Sequence, residues 1–279
     1  MVPVTTHAIL AWILAWLTLA AAPPPADAGL SWKRLQPGVE YTAIGERGKD
    51  ARAADGRIHV VRIDAKQAPF VAAMASAGDR QPRTAAAWCR ERKLAVAINL
   101  GMYAQDKLTN VGHAQAPGHV NNARWSEKYK SVLALAPRRA QLPAAALIDL
   151  DTPGAQATLS GYGGAVQNLR LIRAPGQSVW GKQERRWSEA AVAADNAGRI
   201  LFIFSRQPWA MNELNDKLLS LPLGIAGAMH VEGGPEASLS IHAGGVDLDL
   251  NGGYETGLKE SDGEKAQWPI PNVLGVARR

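Results

Sequence analysis

Gly227-Ala-Met-His230-Val-Glu232-Gly233-Gly234-Pro235-Glu236-Ala-Ser238 is the stretch that decides how this chain reads. Its first six residues alternate as a strand does: Gly227, Met229 and Val231 share one face, and Ala228, His230 and Glu232 share the other. Gly-Gly-Pro then ends the strand in a turn, and an alternating run resumes over Ser238 to Ala243. Similar Val-, Ile- and Phe-rich runs recur outward: Arg57 to Asp64, Phe70 to Met74, Ala95 to Leu100, Ser131 to Ala136, Ala165 to Ile172, Ile200 to Ser205 and Pro271 to Val276. Helical spacing shows in two places, Thr84 to Lys93 and Met211 to Leu221, the second stopped by Pro222. The expectation is an α+β fold: a mixed β-sheet core flanked by a few helices, in a single domain over residues 29–279.

Of 279 residues, 47% are hydrophobic and 20% charged, which excludes wholesale disorder. The single cysteine, Cys89, excludes an intramolecular disulfide framework. The net charge of +6 is spread in ones and twos (Lys33-Arg34, Arg138-Arg139, Arg185-Arg186), a pattern that speaks against nucleic acid as a partner. Ala8 to Ala22 is an apolar run too short to span a bilayer. The Pro23-Pro24-Pro25 run and the small-x-small site Ala26-Asp27-Ala28 follow it. Residues 1–28 therefore read as a signal peptide, although its n-region holds only His7, and the mature chain is expected to start at Gly29. A periplasmic or secreted protein follows, with no stable membrane span after cleavage.

Several motifs fail on inspection. Gly176 to Lys182 has P-loop spacing, but Gln183 stands where a magnesium-binding hydroxyl belongs. Asp247-Leu-Asp249-Leu-Asn251-Gly252 starts like a calcium loop, but its twelfth position is Leu258, so a strand with Asp247 and Asp249 toward water fits better. No metal and no cofactor is expected.

Three motifs survive. In the first, an apolar strand delivers Asn99 and breaks at Gly101-Met102-Tyr103, where a residue without Cβ lets backbone or ligand come close. Asn99 fits equally a strand-end residue capping its own turn, and His113 a surface loop. The second is the opening stretch, where Glu232 beside His230 at the end of an apolar strand suits a general acid, since partial burial raises a carboxyl pKa. An edge hairpin with surface glutamates is the plain alternative. The third is the glycine-rich loop Asn251 to Gly257, in which Tyr254-Glu255-Thr256 pairs an aromatic ring with a carboxylate as sugar sites do.

Taken in order, Asn99-x-Gly-Met-Tyr103, Ala165-Val-Gln167-Asn-Leu-Arg-Leu171, Ala191 to Asp195, the Leu201 to Phe204 strand and Glu232-Gly-Gly resemble the phosphodiester glycosidase family. Gly-Gly-Pro-Glu-Ala-Ser238, Tyr254-Glu-Thr-Gly257 and Trp268-Pro-Ile-Pro-Asn272 resemble its bacterial exported branch. Members of the family include the animal lysosomal enzyme that removes N-acetylglucosamine from a phosphodiester. Two positions depart from the family pattern: Glu232 stands where Asp is usual, with Pro235 for a third glycine, and Glu189 stands where Arg is common.

The resemblance implies an exported hydrolase of a sugar phosphodiester or related envelope glycan bond. Glu232 would be its acid/base, with His230 and Asn99 also catalytic. Gly101, Met102, Tyr103, His113, Gln167, Glu236, Ser238 and Glu255 would bind the sugar side, and Gly233, Gly234 and Arg186 the phosphate. The rival expectation is a non-catalytic module that binds envelope glycan or protein through some of the seven tryptophans beyond the leader. A closed pocket joining Asn99, His230 and Glu232 favours the enzyme, and a flat aromatic groove favours the binder.

Overall fold

Alternation of small and β-branched residues builds three antiparallel sheets in the computed structural model, which describes residues 29–45 and 55–279. The signal-peptide expectation falls on residues outside those described. Strand makes up 47% of the structure and helix 12%, so the fold is mostly β and the α+β expectation is corrected. The difference has a physical origin. Strands such as Trp187–Asp195 and Ala145–Asp149 are alanine-rich, and alanine carries little strand signal of its own. Short segments outside the alternating runs also pair: Ala114–Ala116 with His119–Asn122, and Tyr254–Glu255 with Lys259–Glu260.

The largest sheet runs in the order Lys33–Gln36, Val39–Ile44, Ile58–Ile63, Ile200–Trp209, Trp187–Asp195, Ile225–Gly233, Arg170–Arg173, Gln177–Ser178. A second sheet orders His119–Asn122, Ala114–Ala116, Tyr162–Asn168, Ser131–Pro137 and Ala145–Asp149. A third orders Val246–Asn251, Ser238–Ala243, Leu94–Asn99, Asn272–Ala277 and Phe70–Met74. Strand Val246–Asn251 has Asp247 and Asp249 exposed, as the rejected calcium motif suggested.

One core is shared by all three sheets. Val61, Val192, Phe202, Met229 and Val231 come from the first, Leu133 and Val166 from the second, and Ile98, Leu239 and Leu274 from the third. On the outer face of the first sheet, helix Met211–Ser220 buries Leu214 and Leu218 against Ile58, Ala191 and Leu201. Each fully buried leucine contributes about 2 kcal/mol by removing apolar surface from water. Helix Ala85–Arg92 packs Trp88 and Cys89 on the third sheet. It starts at Thr84, whose hydroxyl accepts from the Ala87 N–H at 3.1 Å, and stops at Lys93 in the left-handed region.

The run Ala165 to Ile172 is two strands in different sheets. Tyr162–Asn168 ends when the Asn168 side chain accepts from the Leu169 N–H at 2.8 Å, and Arg170–Arg173 continues in the first sheet. At that crossing the Leu169 carbonyl accepts the His230 N–H at 3.0 Å. The second sheet is thereby tied to the strand that carries the candidate site.

Candidate active site

Strands Trp187–Asp195 and Ile225–Gly233 lie side by side, with Ala191 opposite His230, Ala190 opposite Glu232 and Glu189 opposite Gly233. The register slips between Ala190 and Ala191, with Val231 as the extra residue beside the site, and again between Ala194 and Asp195. Glu189 is wholly buried, and its Oε1 lies 2.7 Å from His230 Nδ1. Its Oε2 accepts from the Trp187 indole N–H at 2.7 Å. Burial raises the Glu189 pKa against the opposing pull of His230. Burial favours neutral imidazole in His230, but Glu189, then Glu232 and Glu255, outweigh it and raise the His230 pKa. The pair titrates as a unit around the proton between Nδ1 and Oε1.

Glu232 keeps some exposure, toward the pocket. Burial pushes its carboxyl up to about 8, with repulsion from Glu236 and Glu189 adding, and the His230 charge and the Gly233 N–H opposing. The Gly233 N–H donates to Glu232 Oε1 at 3.1 Å, so this amide serves the chain's own carboxyl. At neutral pH Glu232 therefore holds a proton, as a general acid must. Glu236 is also raised, by burial and then by Glu255. The Tyr103 phenol is raised by burial, then by Glu232 and Glu236.

Tyr103, Trp187, His230, Glu232, Gly233, Glu236 and Glu255 line one small, open pocket of about 160 Å³. The two glycines that end this strand have distinct reasons. A Cβ on Gly233 would stand 2.7 Å from Trp187 Cδ1, so only glycine lets the indole rest on the strand end. Gly234 has φ +63°, and a Cβ there would meet the Glu255 carboxyl. Trp187 is held edge-on to both His230 (centroids 6.2 Å apart) and Trp180 (6.4 Å). Arg185, largely exposed, approaches Glu255 at 3.5 Å on the pocket's rim.

Six expected site residues meet in this pocket: Tyr103, His230, Glu232, Gly233, Glu236 and Glu255. Gly234 lies beneath Glu255, and Ser238 is buried behind it with its hydroxyl on the Glu236 carbonyl at 3.0 Å. Asn99 is buried just behind the lining. Its Nδ2 donates to the Glu236 carbonyl at 3.0 Å and its Oδ1 accepts from the Ser238 N–H at 2.7 Å. It acts on the turn that presents Glu236. Gly101 (φ +109°) packs against Asn110 and Asn168, while the Met102 carbonyl accepts from the Val111 N–H at 3.0 Å. These two residues shape the loop that leads to Tyr103.

Three expected residues are engaged elsewhere. Gln167 spends its whole amide internally: Oε1 accepts from the His113 and Ser126 N–H groups, and Nε2 donates to the Ser126 and Tyr129 carbonyls. It has no free donor or acceptor for a sugar. His113 is stacked on Trp125, 4.2 Å between centroids, and burial lowers its pKa. Arg186 forms a bidentate pair with Glu213 at 2.7 and 2.6 Å and does not line the pocket. Its neighbour Arg185 also lies outside the lining, but reaches one lining residue, Glu255, at 3.5 Å.

Glu189, Trp187 and Arg185 were not among the expected site residues. The signal that could have found the first two is a Trp and a Glu two apart, on one face of an otherwise small and apolar strand. The tryptophans form no single groove: Trp88 is buried under its helix, Trp125 covers His113, and Trp187 lines the pocket. Among the described residues no group of three or more His, Cys, Asp or Glu side chains is arranged to hold a metal ion.

Comparison with known proteins adds to this geometry. The family model described as phosphodiester glycosidase matches residues 92–277, which contain every pocket residue. No curated protein matches the sequence. Among solved structures, the fold is similar to the zebrafish N-acetylglucosamine-1-phosphodiester alpha-N-acetylglucosaminidase catalytic domain auto-inhibited by pro-peptide. The TM-score is 0.61 at 12% identity, covering 88% of this chain and 85% of that one. It is also similar to a hypothetical protein from Synechocystis, with TM-score 0.57 and 14% identity, covering 93% of this chain and 65% of that one. At these identities the likeness is one of fold.

Proposed function

Since the chain belongs to the phosphodiester glycosidase family, we propose that it is an exported hydrolase of a sugar phosphodiester or related envelope glycan bond, with Glu232 as its acid. The observation that carries this reading is a carboxyl raised to about 8 inside a concave pocket, next to a histidine held by a buried glutamate. Glu232 gives its proton to the bridging oxygen as the anomeric C–O bond breaks. A phosphate leaves readily as an anion, so one acid suffices on that side. The developing positive charge at the anomeric carbon is met by the Glu236 and Glu255 carboxylates on the pocket wall. Water then adds to the anomeric carbon and gives its proton to the Glu232 carboxylate, which restores the acid. His230 stabilises that carboxylate while it is charged.

Trp187 and Tyr103 supply the flat apolar surface against which a sugar ring stacks. Arg185, on the rim beside Glu255, is the cation placed to meet the phosphate. The test is a screen of the purified mature protein against sugar-1-phosphodiesters, chromogenic ones included, and ordinary aryl glycosides. Turnover of at least one sugar-1-phosphodiester is expected, and binding without any hydrolysis would favour the glycan-binding alternative. Export rests on the leader sequence, and an intact mass that starts at Gly29 on the periplasmic or secreted form tests it.

A further inference from the structure

Strands Leu94–Asn99 and Asn272–Ala277 pair antiparallel in the third sheet, and the Asn99 end abuts the Glu236 turn. At about 3.3 Å per residue the opposite ends lie roughly 17 Å away. There Arg90, Lys93, Arg278 and Arg279 surround a second pocket of about 610 Å³, with the buried Cys89 at its base. Arg90 and Lys93 come from the last turn and the cap of helix Ala85–Arg92. The Arg278 N–H donates to the Lys93 carbonyl at 2.9 Å, which holds the two segments around one opening.

Among the described residues none of these four cations forms an ion pair with a carboxylate side chain, and Asp249 is the one carboxylate that acts on Cys89 beside them. Among the described residues the Arg90 and Lys93 side chains make no hydrogen bond or ion pair. Arg278 donates to the His242 carbonyl at 3.0 Å and Arg279 to the Gln67 carbonyl, so both are fixed in place by uncharged oxygens. The carboxylate that bears on Cys89, Asp249, is already bonded to the Ser240 hydroxyl at 2.6 Å and to His242 at 3.1 Å. Four like charges around one concavity repel one another, and an anion between them removes that repulsion.

We propose that this pocket binds a phosphate group, either free or carried on an anionic lipid headgroup. The guanidinium forks of Arg90, Arg278 and Arg279 match two oxygens each, and Lys93 adds a point charge. The site lies at the far end of the strands from the Glu232 pocket and does not depend on the hydrolase reading. A phosphate-bearing surface held here leaves the Glu232 pocket open.

The test compares the full mature chain with an Arg90→Gln/Lys93→Asn double variant and with Arg278→Gln. Asparagine is chosen at position 93 because it tolerates the left-handed backbone there. Two probes are used: inorganic phosphate by calorimetry at constant chloride ionic strength, and phosphatidylglycerol against phosphatidylcholine vesicles by co-sedimentation. The expected result is at least a tenfold loss of affinity for one probe in both variants, with thermal unfolding unchanged because all three side chains are exposed. Loss for inorganic phosphate identifies the free ion as the ligand, and loss for phosphatidylglycerol vesicles alone identifies the headgroup. If neither probe binds the unmodified chain, or the variants bind both probes as tightly as it does, the proposal is wrong.

Discussion

Oε1 of Glu189 and Nδ1 of His230 stand 2.7 Å apart on neighbouring strands, and the other Glu189 oxygen takes the Trp187 indole proton. One buried carboxyl thus fixes the imidazole and the aromatic wall together, and both line the pocket that holds Glu232. Removing the charge while keeping the shape should expose this dependence.

Glu189→Gln should lower the His230 pKa, since Glu189 is the first group that raises it against burial. In an imidazole NMR titration the His230 midpoint should move to lower pH, with turnover falling about 10- to 100-fold. Glu189→Ala breaks a buried pair outright and should cost about 3 to 5 kcal/mol of stability. An unchanged midpoint in Glu189→Gln would mean that the pair does not set the state of His230.

Glu232 should be a site where stability is given up. In the unfolded chain its carboxyl ionises near 4.5, while in the folded chain it keeps its proton up to about 8. Between those values the unfolded state binds fewer protons, so this group's contribution to stability is complete below 4.5 and is lost as pH rises toward 8. Glu232→Gln should therefore unfold at higher urea concentration than the parent at pH 8, by up to about 5 kcal/mol. The gain should vanish near pH 4. Equal gains at both pH values would refute the assignment.

Gly234→Ala should be costlier than an ordinary turn substitution. Its backbone has φ +63°, and the added methyl would collide with the Glu255 carboxyl. A loss of about 1 to 3 kcal/mol in chemical denaturation is expected, together with weaker substrate binding as Glu255 moves.

Two adjacent arginines should behave differently. Arg185→Gln removes the cation on the pocket rim and should raise KM for a phosphate-bearing substrate several-fold, with little change in kcat. Arg186→Gln breaks only the surface pair with Glu213, and should shift stability by about 1 kcal/mol or less with KM unchanged. Equal KM effects would show that the chain turns at this strand start differently from the structure.

What the sequence disclosed, and what it hid, follows from the range of the interactions. The Ile225–Gly233 strand and its turn were legible because alternation and Gly-Gly-Pro are local. Helix Ala85–Arg92 was legible from its residue pattern, bounded by Thr84 and Lys93. Tyr103 and Glu255, each carried by a local glycine-bounded motif, both line the pocket. Fold class was misjudged because Ala190 to Ala194 and the short ribbons earn their strand state from neighbours rather than from propensity. Gln167 was expected to meet a sugar only because the family resemblance implied it, and in the fold loop 126–129 and the His113 N–H take its hydrogen bonds. Whether Arg185 or Arg186 reaches Glu255 depends on where the strand starting at Trp187 begins its pleat, which no local pattern encodes.

The most direct measurement is steady-state turnover of a cleaved sugar-1-phosphodiester by the parent chain, Glu232→Gln and Glu236→Gln across pH 5 to 10. The parent should lose activity as pH rises through about 8, the point at which Glu232 gives up its proton. Glu232→Gln should be slower by about 10² to 10⁴ with its fold intact, and Glu236→Gln should lose far less. Near-normal turnover by Glu232→Gln, with the same pH profile as the parent, would contradict the assignment of Glu232 as the acid.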